Sequence, residues 1–137
     1  MALDGVWINE LGSVLTLKTG PEGLLEGSYV TAVGTCAKGK FMVSGRTDVF
    51  AGGETLGFAV AWKNSQSECN ATTTWVGHYR APDEDDESLV TFWVMAEKTG
   101  PGEEWESTTL GSDVFYRQTA ASGKPSAEVA PLRPANP

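Results

Sequence analysis

The chain is predicted to fold as an all-β domain: an eight-stranded antiparallel up-and-down β-barrel followed by a flexible C-terminal tail. Turn signals recur at short intervals. They are Gly20-Pro21-Glu22-Gly23, Cys36 to Gly39, Ala51-Gly52-Gly53, Asn64 to Asn70, Ala81 to Glu87, Thr99 to Glu103 and Gly111-Ser112. Between them lie eight β-like runs with no helical period. The short connections favour sequential hairpins, and eight strands close around an interior just wide enough for one small ligand.

Each run is read at period two, because side chains two apart share a face. The first run, about 6–14, presents Trp7, Asn9, Leu11 and Ser13 together. The second, about 24–33, presents Tyr29, Thr31 and Val33. The third covers about 40–48, and the fourth, about 54–62, presents Phe58, Val60 and Trp62. The fifth, about 71–80, carries Thr73, Trp75, Gly77 and Tyr79, and the sixth, about 88–97, carries Thr91, Trp93 and Met95. The seventh, about 104–110, holds Trp105, and the eighth, about 113–118, presents Asp113 and Phe115. Residues 1–118 are the expected barrel domain. Residues 119–137, rich in Ala, Ser and Pro, are expected to form a mobile tail. The sharper alternative is that Pro131 to Pro137 docks on a neighbouring subunit or over a pocket mouth.

At 137 residues the chain has room for one core. Its 40% apolar and 20% charged content is globular. The net charge of −8 argues against nucleic acid, whose affinity rests on neutralising phosphates, and against anionic membrane surfaces. No apolar run approaches the roughly 20 residues of a transmembrane helix. Met1-Ala2-Leu3-Asp4 has none of the marks of a signal peptide and is the kind of short start that remains where one has been replaced. Cys36 and Cys69 both fall in expected loops. One disulfide between two loops, suited to an oxidising, secreted setting, stands beside the plainer reading of two unrelated thiols. Two Cys and one His are too few for a four-ligand cysteine–histidine metal site.

The inward faces mix indoles with Asn, Ser, Tyr, Thr and one Asp. A buried polar group without a partner costs about 1–3 kcal/mol, more if charged. So many cannot be idle: they bond one another and trapped water, or they surround a polar ligand. Flat apolar walls with a few oriented polar groups are the general composition of a small-molecule site. Taken singly, each of these residues is more readily structural; the combination points to a ligand.

The residues also resemble a known family. Gly5-Val6-Trp7-Ile8-Asn9-Glu10-Leu11-Gly12-Ser13 is similar to the opening G-x-W-x-N-x-L-G-S of the avidin/streptavidin family. Further blocks keep order and spacing: Gly27 to Gly34, Ser44-Gly45-Arg46, Leu56-Gly57-Phe58 to Asn64, Ala71 to Gly77, Trp93, Trp105 to Thr108, and Gly111 to Phe115. The resemblance covers roughly residues 5–118 and is closer to the bacterial streptavidin-like members than to egg-white avidin.

The resemblance implies a biotin-binding barrel, secreted and oligomeric, with biotin as ligand and no cofactor. Asn9, Ser13 and Tyr29 match the donors to the ureido oxygen, and Asp113 and Thr31 match the acceptors of its two N–H groups. Thr73 matches the hydroxyl facing the thioether sulfur. Trp62, Trp75 and Trp93 match the aromatic walls, and Trp105 matches the tryptophan lent to a neighbour's site. Val33 to Gly39 match the lid, with Thr35 offering its backbone N–H to the valeryl carboxylate. Some dimeric relatives join this lid to a second loop by a disulfide, which implies a Cys36–Cys69 bridge. Two positions depart from the pattern. Ala71 stands where the family often has a carboxylate-binding Ser, and Ser112 stands where streptavidin-like tetramers have a His. Trp105 favours a homotetramer and the cysteines a dimer; the tetramer is the expectation.

An enzyme and a lipocalin-like carrier for another ligand are the rival readings. The chain shows no nucleophile–base motif, and His78 alternates outward from its strand. A lipocalin-like carrier would want a larger apolar lumen.

Overall fold

The computed structural model describes residues 2–83 and 85–118; the expected tail lies outside the described residues. The described chain closes an antiparallel barrel in simple sequence order. Its strands are β1 (Gly5–Asn9), β2 (Val14–Thr19), β3 (Leu24–Val30), β4 (Phe41–Thr47), β5 (Thr55–Lys63), β6 (Glu68–Arg80), β7 (Ser88–Glu97) and β8 (Thr108–Arg117). Closure comes from β1 against β8, with Trp7 opposite Arg117 and Asn9 opposite Phe115. A closed barrel leaves no unpaired sheet edge.

The predicted architecture is therefore present, but the expected strand boundaries need three corrections. The first run does not continue from 6 to 14 as one strand. The chain reverses at 10–13, where Gly12 takes a φ of +92° and donates its N–H to the Asn9 carbonyl at 3.0 Å. Leu11 is in this turn, and a separate strand follows in which Leu15 and Leu17 point inward and are buried. At the other end of the chain, the expected break at Gly111-Ser112 is the middle of β8. Gly111 is buried within the strand and pairs directly with Trp93 of β7. The segment Glu104–Ser107 is a 3₁₀ turn, so Trp105 is not a strand residue.

The inner faces follow the period-two pattern. Trp7, Tyr29, Phe58, Trp75, Trp93 and Phe115 are fully buried and form one aromatic core with Leu15, Leu25 and Leu89. Phe58 stacks on Trp75 at 5.0 Å, and Tyr29 meets Trp75 at 5.0 Å and Phe115 at 6.3 Å. Gly77 lies on the inner row of β6, where a Cβ would stand 2.0 Å from the Val90 carbonyl oxygen; only glycine fits that approach of β7.

One end is plugged. Arg117 lies over the Trp7 ring at 4.3 Å and pairs with Glu87, Nε to Oε1 at 2.8 Å and Nη2 to Oε2 at 3.1 Å. It also donates to the carbonyls of Asp4, at 2.7 Å, and Ala2. Tyr79 donates to Glu87 at 2.7 Å, and the Trp7 indole N–H donates to the Leu3 carbonyl at 2.9 Å. Burial, aided by the Glu87 bond, pushes the Tyr79 phenol up to about 12. Burial alone would raise the Glu87 carboxyl as well, but hydrogen bonds from Arg117 and Tyr79 outweigh it and hold it below its ordinary value. The opposite end, where β1–β2, β3–β4, β5–β6 and β7–β8 are joined, is the mouth.

Candidate functional site in the barrel lumen

The polar residues of the lumen are held by local chemistry that fixes which of their atoms face inward. Asn9 ends β1, and its Oδ1 accepts the backbone N–H groups of Leu11 at 3.0 Å and Ser13 at 2.9 Å. Both partners are donors, so the atom facing them is the amide oxygen, and the NH₂ group is turned away as a donor. Ser13 is fully buried, and its Oγ accepts the Ala32 N–H at 2.9 Å, which leaves the hydroxyl proton to be donated elsewhere. Thr31 closes a small loop on itself: its Oγ1 accepts from the Val33 N–H at 3.2 Å and donates to the Val33 carbonyl at 3.1 Å. Its remaining lone pair is an acceptor.

Asp113 is fully buried on β8, and its Oδ2 accepts the Trp75 indole N–H at 2.9 Å. The backbone carbonyl of Asp113 accepts from the Thr91 hydroxyl at 2.8 Å. A carboxylate has about four lone-pair sites, so the indole takes only part of its accepting capacity. Trp62 donates to Thr73 Oγ1 at 2.8 Å, which orients that hydroxyl and packs Trp62 against Tyr29 at 5.6 Å. Trp93 is buried with no partner for its indole N–H among the described residues. These contacts form a connected lumen: Ser13 to Asn9, Asn9 beside Phe115, Phe115 to Tyr29, Tyr29 to Trp75, and Trp75 to Asp113.

Thr31, Val33, Thr35 and Trp62 line a cavity of about 280 Å³ at the mouth, with Ala71 and Glu97. The more deeply placed Asn9, Ser13, Tyr29, Thr73, Trp75, Trp93 and Asp113 lie beneath it inside the barrel. A second hollow, about 520 Å³, lies elsewhere, on the outer face of β4–β6 around Arg46, Thr55 and Val76. It contains none of the expected site residues. Trp105 is the one expected site residue that the fold does not bring to this lumen; it stands 76% exposed on the β7–β8 connection.

The loop over the mouth, 31–40, is fastened from the side. Cys36 and Cys69 are joined by a disulfide, as the family resemblance implied, although Cys69 lies in β6 rather than in a loop. The β5–β6 register shifts between Ala61 and Lys63, and Asn70 takes a φ of 55°, a left-handed conformation that Asn tolerates. Bulges of this kind re-aim side chains, here at the position where Cys69 meets the lid. Asn64 was not among the expected site residues, yet it uses its whole amide on this junction. Its Oδ1 accepts from Gln66 and Ser67, each at 2.8 Å, and its Nδ2 donates to the carbonyls of Lys38 at 2.7 Å and Lys40 at 2.9 Å. Ser67 Oγ accepts the Lys38 N–H at 2.9 Å. The signal in the sequence was only an Asn-x-x-Ser turn, and its target lies 24–26 residues away.

Comparison with known proteins agrees with this geometry. Residues 1–118 match the model of the Avidin family. The chain is 34% identical over 116 residues to Afifavidin of Afifella pfennigii, covering 83% of this chain and 68% of that protein. It is 30% identical over 128 residues to Avidin of Gallus gallus, covering 85% and 78%. Hoefavidin of Hoeflea phototrophica matches at 30% over 81 residues, 53% of this chain and 48% of that protein. With the closed barrel and the family match extending over the same residues, the chain belongs to the avidin family.

Proposed function

We propose that the chain is a high-affinity biotin-binding protein that sequesters biotin or biotinylated molecules and performs no catalysis. The observation that carries this reading is the hydrogen-bond polarity of the lumen. The Asn9 NH₂ and the Ser13 hydroxyl are turned to donate, and Asp113 and Thr31 to accept; in this reading the Tyr29 hydroxyl supplies the third donor. A urea group has one carbonyl oxygen and two N–H groups, and this set complements it. Three donors on one oxygen favour its polarised form, and a carboxylate on the opposing N–H reinforces that polarisation. Thr73 takes the thioether side, Trp62, Trp75 and Trp93 wall the bicyclic ring, and Val33 and Thr35 close over the tail. The Thr35 backbone N–H meets the tail's carboxylate.

The working form in this reading is a secreted, streptavidin-like homotetramer. Trp105 is exposed at the mouth end and reaches no site of its own, which suits a residue lent to a neighbour. Val76, Phe92, Val94 and Leu110 are also exposed, and they pair as Val76 with Phe92 and Val94 with Leu110 across β6–β8. A contiguous apolar outer face of this kind supports contact between copies. Retention on biotin-agarose with elution by free biotin tests the ligand. Size-exclusion chromatography with light scattering tests the assembly. Flow-through of the whole sample would defeat the first reading, and a monomer mass the second.

A further inference from the structure

We propose that Glu97 makes the mouth selective against an anionic ligand tail, so that the preferred ligand is biotin held to another molecule through an amide. This rests on the biotin reading above and goes beyond it. The inner row of β7 runs Leu89, Thr91, Trp93, Met95 and Glu97, and its exposure rises toward the mouth. Glu97 is the last residue of that row, and it lines the mouth cavity. Directly opposite on β6 stands Ala71, whose methyl group offers no hydrogen bond.

The tail of any ligand whose head reaches Asp113 and Asn9 must leave past this pair. Among the described residues no lysine or arginine lines the cavity. Lys38 and Lys40 of the lid are exposed outside it, and Lys63 is paired with Glu68 at 3.5 Å. Glu97 forms no ion pair among the described residues. A free carboxylate on the ligand therefore meets a like charge that no cation among the described lining residues neutralises, whereas an amide brings no charge to oppose it. Two unit charges several ångströms apart in a wet mouth repel by an amount worth about three- to tenfold in an equilibrium constant.

The test compares release of biotin and of biotinamide from the wild-type protein and from Glu97→Gln. Exposed at the rim, Glu97 is not part of the core, so the fold tolerates the change. The lid N–H contact is common to both proteins, so the decisive quantity is the change in the acid-to-amide ratio. Glu97→Gln is expected to shift that ratio about three- to tenfold toward the free acid in low salt. The shift should shrink in roughly 1 M salt, where the Debye length falls to about 3 Å. Glu97→Lys should push the ratio further in the same direction. An unchanged ratio in Glu97→Gln overturns the role of Glu97 while leaving biotin binding intact. Failure of both ligands to bind overturns the reading of the site as well.

Discussion

Replacing Cys36 and Cys69 together by serine removes the bridge that ties the lid to β6. The two residues are 33 apart in sequence. In the chain-entropy description, closing a loop of that length lowers the entropy of the unfolded chain by about 12.5 cal/mol/K, or about 3.7 kcal/mol at 25 °C. For a domain of this size 1 kcal/mol corresponds to roughly 3–5 °C, so the double variant should melt about 10–18 °C lower. The native lid should change less than the melting temperature. Asn64 still holds the carbonyls of Lys38 and Lys40, and Ser67 still accepts from Lys38. Differential scanning calorimetry gives the first quantity, and amide hydrogen exchange over 34–40 the second. Adding Asn64→Ala to the double variant should then free the loop, with exchange rising more than the two changes predict separately. A fall in melting temperature under about 3 °C would refute the loop-closure argument. Full lid exchange in the cysteine variant alone would refute the part assigned to Asn64.

Other expectations concern the lumen, the plugged end and the assembly. Asp113→Asn keeps an acceptor for Trp75 but removes the charge; a bond to a charged group is worth about 1.5–3 kcal/mol, so biotin should leave roughly 10–150 times faster, as read by displacement kinetics. Arg117→Ala should cost about 2–4 kcal/mol in denaturant unfolding, because it strands Glu87 and uncovers Trp7. The same cluster sets a pH dependence. The lowered Glu87 carboxyl contributes stability that is present above its ordinary value of 4.5 and is lost as pH falls through the folded value. The raised Tyr79 phenol contributes stability that is present below 10 and is lost as pH rises through about 12. Glu87→Gln should abolish the acid limb of a melting-temperature profile but only reduce the alkaline one, whose main cause, burial of Tyr79, remains. Trp105→Ala should weaken biotin binding while leaving the circular-dichroism spectrum of the ligand-free protein unchanged, since the residue stands outside the barrel core.

Much of the barrel is legible in the sequence because inward and outward residues alternate. Phe58, Val60 and Trp62, or Thr91 and Trp93, need no long-range information to be placed on one face. The number of strands, by contrast, comes out right through two opposite errors. Leu11-Gly12-Ser13 does not look like a break because Trp7, Asn9, Leu11 and Ser13 keep period two straight through it. The reversal depends on Asn9 bonding the backbone of Leu11 and Ser13, which is visible only once the chain has turned. Gly111-Ser112 has the composition of a turn, but both residues are buried in mid-strand, Gly111 paired with Trp93 and Ser112 with Phe92 on the neighbouring strand. The plug of Trp7, Tyr79, Glu87 and Arg117 joins the first and last strands of the barrel to the β6–β7 connection, so no local window contains it. Glu97 was legible, since it continues the row of Trp93 and Met95, but an acidic residue at a strand end reads as surface until the mouth cavity is seen.

The central claim is that this lumen holds the ureido head of biotin. Isothermal titration with biotin, followed in parallel by tryptophan fluorescence, tests it most directly. The account predicts saturation at one biotin per chain, with a blue shift and quenching from Trp62, Trp75 and Trp93, and markedly faster release in Asp113→Asn. Absence of heat and of any spectral change at millimolar biotin would contradict it.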